Sequence, residues 1–277
     1  MSGHEPTVIR PAAPSPLVVS VPHAGTLIPD AELHRYALSS EVLAADVDLF
    51  VDRLYAEAPA LGATLISTPV SRFVVDLNRF EDDLCPSVVL GSSRNTAAGY
   101  YGNRGVIWGV STRGESIYRM PLPREVHAER IAAFYAPYHA RLAEELERAR
   151  ATFGFAILLD AHSMPSVAKA AHTDAGDRRA DIVPGDVMGV SCAPALTRCV
   201  VDFWQEQGRT VALNKPYRGG AITRRYGRPA EGLHAIQLEL NRGLYMDEVA
   251  CAPNDGFAEL AETCSALVER LVGFRPQ

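Results

Sequence analysis

Two short stretches of this chain, Leu17-Val18-Val19-Ser20-Val21 and Phe155-Ala156-Ile157-Leu158-Leu159, are continuous apolar runs. A strand with one wet face alternates polar and apolar residues, whereas a strand covered on both faces does not. These runs therefore demand a sheet buried from both sides. Ala63 to Thr68, Arg72 to Leu77, Thr210 to Leu213 and Leu233 to Leu240 read as further strands. Between them lie helical patterns. Glu41 to Leu61 has apolar residues at 42, 43, 45, 49, 51, 54 and 55, and Gly62 is a natural stop. Arg124 to Phe153 is the longest, with a kink expected at Pro137. Ala193 to Gly208 and Asp255 to Leu271 are two more, with a one- or two-turn helix after Arg218-Gly219-Gly220. Strands alternating with helices predict an α/β fold: one domain, with a mixed, largely parallel central sheet covered by helices on both faces. Residues 1–16 are Pro-rich and expected to be a flexible arm, and 17–277 the domain itself. Residues 81–122 lose periodicity and are expected to form an irregular excursion that caps the site, and 165–191 are loop-rich.

Residues just beyond the strands carry the chemistry, because open α/β sheets bind ligands at strand carboxyl ends. Val21 leads into Pro22-His23-Ala24-Gly25, and Leu159 into Asp160-Ala161-His162-Ser163. Either histidine alone reads as a hydrogen-bonded structural residue. Two at equivalent strand ends read as ligands, and a catalytic zinc needs a third. Asp46 and Asp48 lie on the expected helix at 41–61. Two residues apart, they point about 200° apart and cannot both face one site; spacing does not choose between them. Asp160 is a second catalytic candidate: it could orient an imidazole or equally cap a loop, and it is the next candidate for a base after Glu239. His127 and His139, on the long helix, read as surface or packing residues, and His4, His34 and His172 as loop residues.

Asp76-Leu77-Asn78-Arg79 ends another strand with an amide beside a guanidinium, a pair suited to gripping a carboxylate. Glu239 sits inside the run Ala235 to Leu240. A carboxylate there is costly without a partner or a function, and desolvation would raise its pKa toward that of a general base.

Composition excludes other classes. Apolar content of 47% and charged content of 22% suit a soluble globular protein. A net charge of −6 with no basic block argues against nucleic acid or an acidic membrane surface as partner. No apolar run reaches the roughly 20 residues of a membrane span. The start lacks the layout of a signal peptide. The five cysteines are an odd number without a CxxC pair, so neither a disulfide scaffold nor a cysteine zinc site is expected. The expected location is the cytoplasm. Oligomeric state is not readable.

Taken in order, six stretches resemble the N-formylglutamate amidohydrolase (deformylase) family of histidine breakdown: 19–25, 46–48, 71–79, 159–163, Arg218-Gly219-Gly220-Ala221-Ile222-Thr223 and His234-Ala235-Ile236-Gln237-Leu238-Glu239. They cover about residues 17–250. The resemblance implies a zinc hydrolase, with one divalent metal ion, that splits N-formyl-L-glutamate into formate and glutamate. That family in turn looks like the zinc carboxypeptidases and the aspartoacylase/desuccinylase group. By that likeness His23 and His162 are metal ligands, Asn78 and Arg79 grip a substrate carboxylate, and Glu239 is the base. The substrate has a second carboxylate, for which Arg72, Arg218 or Arg224 is expected, and the Gly219-Gly220 pair would let backbone approach the ligand closely. The chain departs from those relatives at Thr26, where they carry the acidic ligand three residues after the first histidine. The third ligand is then expected to be Asp48, with Asp46 second. The alternatives are an amidohydrolase or carboxypeptidase-like enzyme for another N-acyl amino acid, and a catalytically silent ligand-binding module.

Overall fold

The computed structural model describes residues 4–93 and 103–276. In chain order its strands are β1 (Thr7–Ile9), β2 (Leu17–Val21), β3 (Thr64–Ser67), β4 (Ala156–Met164), β5 (Ile182–Gly185), β6 (Leu233–Asn241), β7 (Met246–Asp247) and β8 (Ala252–Pro253). The first six form one sheet in the order β1-β3-β2-β4-β6-β5, and β7 and β8 pair separately. Neighbours from β3 to β6 run parallel; β1 and β5 close the two edges antiparallel. The sheet is thus mixed and largely parallel, as the continuous apolar runs require.

Its helices are α1 (Ser40–Ala44), α2 (Val51–Leu54), α3 (Arg124–Arg130), α4 (Ala136–Phe153), α5 (Pro194–Glu206), α6 (Ala221–Tyr226) and α7 (Phe257–Val272). They split between the sheet's faces by the period-2 alternation of the strands. Val18, Ile66, Leu158 and Ala235 pack with Tyr138, Leu142 and Leu146 of α4 and with Ile222 of α6. Val19, Leu65, Leu159 and Ile236 pack on the other face with Val51, Leu196, Trp204, Leu260 and Leu267. Each such fully buried aliphatic side chain contributes roughly 1.5–3 kcal/mol of transfer free energy. No described helix is long and apolar enough to cross a membrane.

The structure corrects or refines several local expectations. The 41–61 helix is two short helices, α1 and α2, separated by a turn that carries Asp46 and Asp48. The Asp48 N–H donates to His23 O at 2.9 Å instead of continuing the helix, and Phe50 enters α2 with φ 68°. Arg72 to Leu77 is a run of turns, not a strand. Phe73, Val74 and Val75 are apolar because core surrounds them, and Asp76 N bonds Val106 O. Thr210 to Leu213 makes a single bridge, Val211 with Ile182, while the loop-rich stretch 165–191 contains β5. Part of the expected arm, Thr7–Ile9, pairs with β3. Pro137 is preceded by a π-helical turn, Ile131–Tyr135, because proline has no N–H to donate and its ring crowds the carbonyl four residues back.

Candidate active site

Register places the key residues side by side. In the β4–β6 ladder Asp160 lies opposite Gln237 and His162 opposite Glu239. His23 sits two residues beyond the end of β2, one strand away. The loop beyond it turns tightly: a Cβ on Gly25 would lie 2.5 Å from the backbone of Thr68 and Pro69. His23, Asp48 and His162 converge there, all buried, with one ligand atom each lying within 4.8 Å of one another.

The hydrogen bonds orient these groups. His23 Nε2 meets Asp76 Oδ1 at 2.8 Å, and His162 Nε2 faces Asp160 Oδ1 at 3.0 Å. The His23 ring then carries its proton on Nε2 and keeps the Nδ1 lone pair for the centre, while His162 also faces Asn78 Nδ2 with its Nε2 at 3.2 Å. His23 Nδ1 is buried with no hydrogen-bond partner. Asp48 Oδ2 lies 3.2 Å from His162 Nδ1 and 3.6 Å from His23 Nδ1. A tetrahedral zinc with bonds of about 2.0–2.1 Å separates its ligand atoms by roughly 3.3 Å, so the donor set fits.

The electrostatics point the same way. Burial opposes charge on His162, yet the Asp160 carboxylate and the bond to Asp48 outweigh it and raise the pKa well above the ordinary value. Burial would likewise raise Asp48 and Asp76. Bonds from His162 and His23 hold Asp48 well below the carboxylate range, and the charges of Arg72 and His23 do the same for Asp76. The surroundings favour positive charge at the point where the Nδ1 atoms meet.

Asp46 is committed elsewhere. It accepts from Thr112 N at 2.8 Å and from Lys169 Nζ at 2.7 Å. Of the two candidate acids, Asp48 is therefore the one at the centre. Its second oxygen, Oδ1, accepts from Arg242 Nη2 at 3.0 Å.

Above this group lies a cavity of about 310 Å³, lined among others by His23, Asp48, His162, Asn78, Arg79, Arg104, Arg179 and Glu239. Burial pushes the Glu239 pKa up to about 7, with the His162 charge opposing and the Asp48 charge reinforcing. Gln237 Nε2 donates to Glu239 Oε1 at 2.9 Å, while Gln237 Oε1 accepts from Gly220 N at 2.8 Å and Asn78 Nδ2 at 3.2 Å. Gly220 is a true close approach: a Cβ there would lie 2.4 Å from the Asn78 amide.

Sequence-chosen residues divide into four groups. His23, Asp48, His162, Asn78, Arg79, Gly220 and Glu239 meet at the cavity. Arg218 and Arg224 line it as exposed residues. Arg72 lines it too, but its guanidinium is bound to Asp76 at 2.7 Å and covers the Trp108 ring at 4.4 Å. Asp160, fully buried behind His162, is not among the lining residues and accepts from Thr223 Oγ1 at 3.1 Å. It lies behind the ring of His162, 3.0 Å from Nε2.

Sequence reasoning missed Arg104, Arg179, Trp108 and Tyr217, which line the cavity from irregular loops without periodicity to mark them. It also missed how the clamp loop is held. The π-helical turn lets Tyr135 OH donate to Arg79 O at 2.9 Å, and His139 Nε2 meets Leu77 O at 3.0 Å. A helical histidine and tyrosine four apart were the available signal.

Comparison with known proteins agrees. The family model for N-formylglutamate amidohydrolase matches residues 15–246. An N-formylglutamate deformylase of Pseudomonas aeruginosa is 37% identical over 260 residues, 93% of this chain and 91% of that one. One from Pseudomonas putida is 35% identical over 259 residues, with 93% and 91% covered. The crystal structure of N-formylglutamate amidohydrolase from Ralstonia eutropha JMP134 is similar with a TM-score of 0.89 and 33% identity, covering 97% of each chain. A gene product of Agrobacterium tumefaciens, 23% identical with a TM-score of 0.67 over 97% and 95% of the two chains, shares the fold.

Proposed function

The chain belongs to the N-formylglutamate amidohydrolase family, and from that premise we propose that it hydrolyses N-formyl-L-glutamate to formate and L-glutamate with the help of one divalent metal ion, zinc. The observation that carries this reading is the buried trio His23, Asp48 and His162 at the floor of a cavity that also presents Glu239 and arginines. His23 Nδ1, Asp48 Oδ2 and His162 Nδ1 would hold the metal. A zinc ion bound there supplies Lewis acidity to the formyl carbonyl and acidifies a water.

The chain's own groups do the rest. Asp76 and Asp160 hold the two imidazoles in the tautomer that turns Nδ1 inward. Glu239, with its pKa pushed up to about 7, is matched to take a proton from the attacking water and deliver it to the departing glutamate nitrogen. Asn78 and Arg79 grip a substrate carboxylate, which fixes the amide relative to Glu239. On this reading the enzyme serves histidine breakdown in the cytoplasm, a role tested by growth of a deletion strain on histidine and a place tested by cell fractionation.

The direct test is metal content by elemental analysis together with formate release from N-formylglutamate, set beside release of the acyl group from N-acetyl and N-succinyl glutamate, aspartate and glutamine. N-formylglutamate should be the best substrate. Faster turnover of a longer acyl group would move the assignment to another N-acyl amino acid. Absence of both metal and turnover would leave a ligand-binding module.

A further inference from the structure

Three arginines of the cavity already have a carboxylate. Arg72 Nη2 meets Asp76 at 2.7 Å, Arg242 Nη2 meets Asp48 at 3.0 Å, and Arg179 holds both oxygens of Asp174 at 3.1 and 3.0 Å. Their charge is matched inside the protein. Arg104 differs. Its guanidinium donates to the carbonyl of Ala171 and lies 5.6 Å from the centre of the Trp108 ring. Among the described residues no carboxylate bonds to it. Burial first, and then the charge of Arg79, lower its pKa. A half-buried cation facing a cavity beside like charges is a standing cost that an anionic ligand relieves.

The segment that carries it is fixed to the rest of the site. Arg79 Nε donates to Arg104 O at 3.0 Å, Gly109 N to Asn103 O at 2.7 Å, and Asp76 N to Val106 O at 2.8 Å. Trp108 Nε1 donates to Asp76 Oδ2 at 2.8 Å while Arg72 covers the same indole. Arg104 is therefore placed by the residue that also orients His23. Arg218 and Arg224 are exposed, and Arg224 Nε donates to Gly219 O at 3.4 Å.

We propose that Arg104 binds the side-chain carboxylate of the substrate and sets the preference for glutamate over glutamine, leaving the α-carboxylate to Arg79. The proposal rests on the N-formylglutamate reading and deepens it. An arginine fork matches a carboxylate with two parallel bonds, and an amide offers only one oxygen to it. The Ala171 carbonyl and the Trp108 face hold the fork in place before substrate arrives, which lowers the ordering cost of binding.

The experiment measures kcat/KM on N-formyl-L-glutamate and N-formyl-L-glutamine, with metal content as a control, for the wild type and for Arg104→Met, Arg104→Lys, Arg79→Met and Arg218→Met. Arg104→Met should lower kcat/KM on the glutamate substrate by about 10²-fold and on the glutamine substrate by less than about threefold. Arg79→Met should lower both alike. Should Arg104→Met not fold, Arg104→Lys keeps a charge without the fork and should still narrow the glutamate-to-glutamine ratio by about tenfold. Equal losses on both substrates, an unchanged ratio in Arg104→Lys, or a selective loss that tracks Arg218→Met would overturn the proposal. A wild type that turns over neither substrate overturns the underlying reading, and that result is seen before any variant is made.

Discussion

At the floor of the cavity, His23 and His162 hang from parallel strands and each is gripped from behind by a fully buried aspartate, Asp76 or Asp160. At its walls, Arg79 and Arg104 come from loops and donate to backbone carbonyls, and Arg218 is exposed. The floor is set by sheet register, because a one-residue slip would carry His162 and Glu239 to the opposite face of the sheet. The walls are set by many individual loop bonds, each worth about 1 kcal/mol net. Chemistry that tolerates little displacement thus sits on the sheet, and recognition sits on segments that can vary. The contrast makes different variants fail in different ways.

The largest effect should come from the floor. His162→Ala and His23→Ala each remove a proposed ligand and should lose metal and activity together, read by elemental analysis and formate release. Full metal occupancy in either variant would break the contrast at its root. Next, Glu239→Gln preserves shape and the bond from Gln237 but cannot carry a proton. It should keep metal and substrate affinity while kcat drops by about 10²–10⁴-fold, the range for general acid–base groups. A near-normal kcat would move the base to another residue.

Smaller effects sharpen the comparison. Asp160→Asn leaves His162 in place but removes the charge behind it, and metal affinity should weaken by about 10–100-fold, measured by competition with a chelator. A metal-replete Asp160→Asn enzyme with unchanged metal affinity would deny the floor its supporting layer.

Beneath the walls, His139 is buried against Leu77 O and Tyr226 OH, and burial followed by the Arg225 charge depresses its pKa to about 3. A histidine depressed in the folded state is fully stabilising above its unfolded value near 6.5, and that stability drains as pH falls from 6.5 toward 3. Between pH 7 and 5 the loss should be about 2 kcal/mol, and a His139→Gln variant should show a correspondingly shallower acid decline in urea unfolding. Identical pH slopes in the two proteins would show that His139 does not drive the acid decline.

The strands were legible in the sequence because burial on two faces leaves a signature in consecutive residues: Leu17 to Val21 and Phe155 to Leu159 could only be interior strands. His23, His162 and Glu239 were legible for the same reason, since a polar group at the end of, or inside, such a run stands out against its neighbours. Helical and turn segments were less so. The pattern at 41–61 is helical in spacing, yet the chain breaks there because Asp48 N bonds to His23 O, a partner 25 residues away that no local window contains. That one backbone bond also selects Asp48 over Asp46, whose carboxylate turns instead to Thr112 and Lys169. Arg72 to Leu77 imitates a strand because core packs on every side of it. Arg104 carried no sign of its place, because a loop arginine is ordinary in sequence. Its meaning depends on its having no carboxylate partner among the described residues, and partners are assigned only when the chain has folded.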